Sequence, residues 1–198
     1  ISTVDSQGRH NLAPYSQFQN ATFNPPIVMF SANQNTGGQR KDSVRNAEET
    51  GEFVWNMATY ALRDAVNKSA EELPHGVDEF EHAGLVKLPS RKVKPMRVAG
   101  SPIQFECVYL NTLRFPGVPP MGTADVVFGR VVAIHIDDDV IDGQGMLDIL
   151  KIQPLARMGY FDYTFVDNKF EMVIGGNNSA LLAGLEGSPD KAKAAAQR

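Results

Sequence analysis

The clearest candidate for ligand chemistry is the junction "GGQRKDS", Gly37 to Ser43, where a glycine-rich loop meets a segment of helical character. Arg40 and Lys41 supply positive charge there. Either Asp42 or Ser43 can serve as the N-cap of the helix that follows. The first N–H groups of a helix are unpaired and its dipole is positive at that end, which favours a bound phosphate. A capped surface helix with basic neighbours explains the same residues equally well.

A second candidate is the stretch "NLAPYSQFQNATFNPPIVMFSAN", in which two apolar strands are separated by small polar residues from Ser16 to Thr22. Pro25-Pro26 can begin a strand but cannot lie inside one. Polar side chains on two adjacent strands would line a groove that ends near the junction, and Pro14 exposes neighbouring backbone groups. The stretch therefore predicts a groove for an aromatic cofactor with a phosphate. The alternative is an edge strand whose polar side chains face solvent. The polar residues on which the groove depends are Asn11, Ser16, Ser31 and Asn33.

Other chemistries find weaker support in the sequence. There is no G-x-S-x-G motif, and Cys107 lies on the apolar face of a predicted strand, as a core residue would. His75 and His82 enclose acidic residues but match no zinc spacing, so a solvated helical face is expected. Residues 137–139, "DDD", lack the order of a calcium loop and indicate an exposed turn. His135 on a predicted strand indicates a packed or edge histidine, not a haem ligand.

The amino-acid composition limits the classes of protein to which the chain can belong. The 198 residues, 42% of them apolar, fit one globular domain. The 19 basic and 23 acidic residues give a net charge of −4, and the short "SRKVKP" piece is the main basic run, so nucleic acid is not an expected partner. One cysteine excludes an intrachain disulfide, and no apolar run approaches the ~20 residues of a membrane span. We expect a cytoplasmic protein without membrane partners, whose sequence lacks its true start.

The order of elements predicts the fold class. Strands come first, helices lie in the middle and strands return, which is typical of an α+β, mainly β domain built on an antiparallel barrel. Gly51 should end the first helix, and Pro74 the second, which should begin near Thr59. Gly129 should mark a bulge. The predicted strands and helices lie in "EFVWN", "VDEFEHAGL", "PIQFECVYL", "TADVVFGRVVAIHID" and "LARMGYFDYTFV".

Taken together, these segments resemble the flavin reductase-like FMN-binding split-barrel family from Ile1 to about Val166. The resemblance implies a split antiparallel β-barrel with peripheral helices, which forms a homodimer with FMN near each end of the subunit interface. The domain would span residues 1–187, followed by a tail at 188–198 that is either a marginal helix or frayed. The motifs that carry the resemblance are "STVDSQGRHNLAPYSQF", "NPPIVMFS", "KDSVRNAEETGEFVWN", "GVDEFEHAGL", "SRKVKPMRVAGSPIQFEC" and "ARMGYFDY".

The resemblance also implies a set of cofactor-binding residues, each assigned to one part of the flavin. Ser16 would bond the ribityl or phosphate part. Ser31 and Ala32 would lie beside the flavin. Arg157 matches the Arg of an "R-x-G" segment and would approach the flavin, in such dimers from either subunit. The isoalloxazine would contact the backbone around Asn11, Ala13, Pro14 and Tyr15. The phosphate would be held by a segment that matches "KDT-x-x-N", namely Lys41, Asp42, Ser43 and Asn46.

The implied activity is that of an NAD(P)H-dependent flavin reductase, in which NADH or NADPH gives a hydride to FMN and no catalytic side chain is needed. Free flavin, oxygen or a partner oxygenase would then receive the electrons. Tyr160 stands where the family often has a second glycine, and its ring could cover the flavin and hinder a nicotinamide. This departure favours an alternative, a non-catalytic FMN-binding carrier, store or sensor. A third possibility keeps the barrel but binds haem or a deazaflavin.

Overall fold

The computed structural model describes residues 1–34 and 38–172. The chain divides into two compact units, Ile1–Val166 and Asp167–Arg198. Residues 167–172, the described part of the second unit, form no helix or strand. Gly37 of the predicted phosphate junction, the predicted domain end at 187 and the tail at 188–198 lie outside the described residues.

An antiparallel sheet dominates the first unit. Seven strands follow the hydrogen-bonded order β2-β1-β5-β8-β9-β4-β3, and two further hairpins pair β6 with β7 and β10 with β11. This arrangement confirms the predicted mainly β, antiparallel class. In the described part of the chain the strands are Ser2–Val4 (β1), His10–Leu12 (β2), Phe18–Phe23 (β3), Pro26–Asn33 (β4), Glu52–Asn56 (β5), Lys87–Leu88 (β6), Arg97–Val98 (β7), Ile103–Phe115 (β8), Ala124–Ile136 (β9), Leu155–Gly159 (β10) and Asp162–Phe165 (β11).

The helices are short. The first begins at Asp42 after Lys41, which is the N-cap and makes no side-chain capping bond, so the predicted N-cap at Asp42 or Ser43 is wrong by a residue or two. Gly51 ends it at φ 77°, as predicted. The second ends at Ser69, earlier than predicted, where the Ser69 hydroxyl bonds the Val66 carbonyl and competes with the helix. The described α-helices are Asp42–Thr50 (α1), Arg63–Ser69 (α2), Glu79–His82 (α3) and Ile149–Ile152 (α4), and two 3₁₀-helices lie at Tyr60–Leu62 and Asp138–Val140.

The main core lies between the large sheet and α1. Val44 and Ala47 of α1 are completely buried, because the helix turns one apolar face toward the strands. Phe30 of β4 and Phe53 of β5 meet edge to face, with a distance of 5.4 Å between the ring centroids. Cys107 is also fully buried in this cluster, as predicted, and burial raises the pKa of its thiol.

The polar stretch after Ser16 forms an edge strand, which was the alternative to the expected cofactor groove. Residues Phe18–Phe23 form β3, the edge strand that pairs with β4, and Gln19, Asn20 and Thr22 are exposed to solvent. For these three residues the structure agrees with the edge-strand alternative, and none of them lines either of the two clefts described below. Their alternation with apolar neighbours is weak, which is why the sequence indicated a strand here only as an alternative.

A buried carboxylate fixes the basic connection between β6 and β7. Glu106 on β8 is completely buried and accepts the backbone N–H groups of Arg91 at 2.8 Å and Lys92 at 2.6 Å. His135 on β9 lies 2.5 Å from the same carboxylate, so this histidine is packed, as predicted. Burial alone would raise the pKa of Glu106, but these hydrogen bonds hold it below its usual value.

Gly129 allows the long strands β8 and β9 to pack on the core. Tyr109 pairs with Gly129 and Asn111 with Phe128, so the predicted bulge occurs here with its extra residue, Leu110, in the partner strand. A Cβ at Gly129 would lie 2.3 Å from Cε1 of Phe53, closer than any van der Waals contact. The glycine is therefore required by the close approach of the buried ring.

Gly129→Ala is expected to lower the free energy of unfolding by about 1–3 kcal/mol, because the methyl group overpacks the Phe53 ring. Urea unfolding measures the change. Gly143→Ala is the matched control, since a Cβ there meets nothing within 4 Å, and it should change stability by less than about 0.5 kcal/mol. Adding Phe53→Leu to Gly129→Ala should recover part of the loss. Equal effects of the two alanine substitutions would contradict the overpacking explanation.

Candidate functional site

Two adjoining clefts bring most of the predicted site residues together. The helix-end cleft, of about 630 Å³, lies at the N-terminus of α1. The aromatic cleft, of about 640 Å³, lies beside the β10–β11 hairpin. Pro14 and Tyr15 line both, so the segment between β2 and β3 forms the boundary that the two clefts share.

The helix-end cleft contains seven of the predicted cofactor-binding residues. Asn11 donates from Nδ2 to the hydroxyl of Ser43 at 2.9 Å, and both side chains are buried. Because the Ser43 oxygen accepts this bond, its own O–H remains available to donate to a ligand. The seven residues are Asn11, Ala13, Pro14, Tyr15, Lys41, Asp42 and Ser43.

Tyr15 has a buried hydroxyl that finds no hydrogen-bond partner among the described residues. Burial raises the pKa of Tyr15 to about 12. A buried, unpaired donor is costly, and a ligand oxygen in the cleft would satisfy it. Two hydroxyl donors beside a helix N-terminus fit the phosphate group that the sequence analysis predicted.

The basic side chains at this cleft differ in how far their charges are free to bind a ligand. Arg40 is held by Glu48 at 2.6 Å and by the buried Asp125 at 3.3 Å. Lys41 also lines the cleft, and no carboxylate among the described residues lies within ion-pair distance of it. Arg45, which also lines the cleft, pairs with a carboxylate, so Lys41 is the lysine or arginine here whose charge is best placed to serve a ligand.

His75 lines the same cleft, which the sequence did not indicate. Its Nδ1 lies 2.8 Å from the carboxylate of Asp42, and Arg45 approaches that carboxylate at 3.6 Å. His82 pairs instead with Glu71 at 2.7 Å, so the two histidines do not share a site. Across residues 1–34 and 38–172, no cluster of three or more His, Cys, Asp or Glu side chains is placed to hold a metal ion.

Aromatic rings form much of the second cleft. Phe18 and Trp55 stack at 4.8 Å with an interplanar angle of 15°. The β10–β11 hairpin, which lies in the segment "LARMGYFDYTFV", brings Arg157 and its neighbours to the same cleft. Of the predicted residues, Ser16 and Arg157 line this cleft together with Pro14 and Tyr15. The aromatic residues that line it are Tyr15, Phe18, Trp55, Tyr160, Phe161 and Tyr163.

Three predicted residues lie outside both clefts. Ala32 packs in the main core and is 3% exposed. Asn46 is equally buried and donates from Nδ2 to the Thr3 hydroxyl at 3.1 Å, which joins α1 to β1. Ser31 lies on β4, where its backbone N–H bonds the Gln17 carbonyl at 2.9 Å. Their assignment to the cofactor remains a prediction.

Comparisons with known proteins agree with this geometry. The chain matches the family described as Flavin reductase like domain over residues 1–165. An uncharacterized protein of Methanothermobacter thermautotrophicus is 34% identical, over 86% of this chain and 80% of the relative. The solved structure of nitrilotriacetate monooxygenase component B from Bacillus cereus is 30% identical, with a TM-score of 0.80, over 86% of this chain and 84% of that one.

A more distant structure shows the architecture. A protein with a split barrel domain from Shewanella frigidimarina has a TM-score of 0.75 at 20% identity, over 87% of this chain and 83% of that one. The open seven-strand order is thus that of a split barrel, as predicted.

Within the part of the chain that the structure describes, the helices lack the length and apolar character needed to cross a membrane.

Proposed function

Because the chain belongs to the flavin reductase-like domain family, we propose that its two clefts together bind FMN and that it is an NAD(P)H-dependent flavin oxidoreductase. The observation that carries the proposal is the buried Tyr15 hydroxyl, which has no hydrogen-bond partner in the described part of the chain and lies beside Ser43 at the N-terminus of α1. It fits a phosphate group at one end of a cleft system whose other end is aromatic. The flat ring would then lie along the shared segment at Pro14 and Tyr15.

Each part of the chain has a separate task in this proposal. Lys41 supplies the charge that attracts the phosphate, while Ser43 and Tyr15 donate hydroxyl hydrogens to its oxygens. The first N–H groups of α1 add the favourable end of the helix dipole. Phe18 and Trp55 present apolar faces that keep water away from the ring. The side chains bind and orient, and none is needed as an acid or base.

When bound, the flavin supplies the redox chemistry, since it can accept a hydride from NADH or NADPH. The electrons would then pass to free flavin, oxygen or an oxygenase. An oxygenase partner is supported by the relative from Bacillus cereus, which is component B of a monooxygenase. A homodimer is supported by apolar side chains that the single chain leaves exposed on β8 and in the loop after it, namely Leu110, Leu113, Phe115, Val118 and Met121.

Anaerobic reduction tests the proposed activity. Purified protein loaded with FMN should show flavin absorption bands that bleach when NADH or NADPH is added. Bands that persist with both nucleotides would contradict a reductase and support a carrier, store or sensor. No bands after addition of FMN would contradict flavin binding itself. Sedimentation of the same sample measures whether it is a dimer.

Tyr160 favours the second candidate function, that of a non-catalytic FMN-binding carrier. The residue is 90% exposed at the edge of the aromatic cleft and has a positive φ of 49°, which is uncommon for a residue other than glycine. If its ring blocks the nicotinamide, Tyr160→Gly should gain NAD(P)H oxidation that the parent protein lacks. Reduction at the same rate in both proteins would remove this reason for the carrier hypothesis.

A further inference from the structure

The turn of the β10–β11 hairpin presents two aromatic rings to solvent. Tyr160 is 90% exposed and Phe161 96% exposed, and both line the aromatic cleft. Tyr160 adopts its positive φ here although a non-glycine residue is strained in that conformation. Large exposed aromatic groups at the edge of a cleft indicate a surface that contacts a ligand or a partner.

Arg157 lies on the same hairpin and keeps most of its hydrogen-bonding capacity. One N–H of its guanidinium donates to the Tyr160 carbonyl at 3.1 Å. A guanidinium has five N–H donors, so four remain. No carboxylate among the described residues pairs with it, and it is the one arginine or lysine side chain that lines the aromatic cleft.

Aromatic rings also line the cleft, and one polar side chain beside them, Asn56, is already satisfied. Phe18 and Trp55 are stacked there at 4.8 Å. The amide of Asn56 donates to the Ser2 hydroxyl at 3.1 Å and accepts the N–H of Val98 at 2.8 Å. On the hairpin side a ligand therefore finds the ring faces of Tyr160 and Phe161 and a guanidinium whose remaining N–H groups no described residue uses. A planar aromatic ring stacks on the faces, and a carboxylate pairs with a guanidinium in a bidentate manner.

We propose that the hairpin side of the aromatic cleft binds a small planar aromatic carboxylate, with Arg157 as its charged partner and Phe161 as a stacking surface. The proposal rests on the proposed function for one point, that FMN lies along Pro14 and Tyr15 and leaves the hairpin side open. A neutral arene would leave the guanidinium unpaired, and an aliphatic acid would not stack. The site therefore selects for both features at once.

Calorimetric titration of the FMN-loaded protein with benzoate, benzamide and cyclohexanecarboxylate tests the proposal. Benzoate should bind at least about tenfold more tightly than benzamide, because it gains a charge-assisted hydrogen bond. Cyclohexanecarboxylate should bind more weakly than benzoate. Flavin fluorescence of the filtrate should show that FMN stays bound throughout.

Variants separate recognition of the charge from a structural effect. Arg157→Gln should remove the preference for benzoate while leaving benzamide binding unchanged. Phe161→Ala should weaken both ligands. Arg130→Gln is the matched control, because Arg130 is an exposed arginine on β9 outside the cleft, and it should change neither.

Several outcomes would overturn the proposal. These are equal binding of benzoate and benzamide, an equal loss of both in Arg157→Gln, release of FMN by benzoate, and no binding because a second copy of the chain covers the hairpin. If FMN does not bind at all, the proposed function fails separately. The same titrations, followed by fluorescence of Trp55, then decide the proposal on the flavin-free protein by the same criteria.

Discussion

Lys41→Met is expected to weaken FMN binding by about ten- to a hundredfold, the range for loss of a hydrogen bond to a charged group. Lys41 lines the helix-end cleft, and no carboxylate in the described part of the chain neutralises it. Arg40 cannot replace it, since Glu48 and Asp125 hold that guanidinium. The sole tryptophan of the sequence, Trp55, lines the adjoining cleft, so quenching of its fluorescence measures the affinity.

The control for this prediction is Lys94→Met, which removes an exposed lysine from the irregular connection between β6 and β7. It should leave the affinity for FMN unchanged. Rising salt should weaken binding by the parent protein more than binding by Lys41→Met, because the variant has lost the main attraction that salt screens. Similar affinities of both variants would contradict a phosphate site at Lys41.

Glu106→Gln is expected to lower the free energy of unfolding by about 3 kcal/mol and the Tm by about 10 °C. The carboxylate is completely buried and accepts the N–H groups of both Arg91 and Lys92. A glutamine side chain has one acceptor oxygen, and its NH₂ group would face a donor. Thermal unfolding of the two proteins under identical conditions measures the difference.

Glu52→Gln supplies the matched control, because Glu52 on β5 accepts the N–H of Lys94 in the same connection at 2.8 Å, and this hydrogen bond is exposed to solvent. Water can replace that bond, so the change should cost less than about 1 kcal/mol. A loss in Glu52→Gln as large as that in Glu106→Gln would show that burial is not the reason for the effect.

The same carboxylate predicts a dependence of stability on pH. Its pKa is lowered in the folded protein, so the stability it contributes is complete above the pKa of an unfolded glutamate, about 4.3. That contribution is lost as the pH falls through the lower, folded value. The free energy of unfolding of the parent protein should therefore fall more steeply below about pH 4.3 than that of Glu106→Gln.

Local patterns in the sequence predicted much of the fold. The helix that Gly51 ends, the strand "EFVWN" and the long neighbours β8 and β9 all follow from short-range periodicity and turn residues. The sequence indicated the edge strand β3 only as an alternative, because its exposed polar residues lack the alternation that burial of one face imposes. The second helix was predicted too long, because competition by a serine hydroxyl leaves no mark on periodicity.

Some features of the candidate site could not be predicted from the sequence, because they depend on contacts between residues far apart in the chain. His75 reaches Asp42 across 33 residues, and Arg40 reaches Asp125 across 85. Neither pairing leaves a local signal. The free charge of Lys41 is likewise apparent only once Arg40 is seen to be engaged. Burial of Glu106 was equally hidden, because an acidic residue in an alternating strand is normally taken to face solvent.

The buried position of Cys107 has a practical consequence for thiol chemistry. The chain has one cysteine, which is 0% exposed and whose thiol is kept protonated by its raised pKa. Maleimides and disulfide reagents attack thiolates that they can reach, so the folded protein should not react. A cysteine introduced on the surface, for example at Val118, would be the reactive thiol of each copy. Cross-linking between two copies would then report on the proposed dimer without removal of the native cysteine.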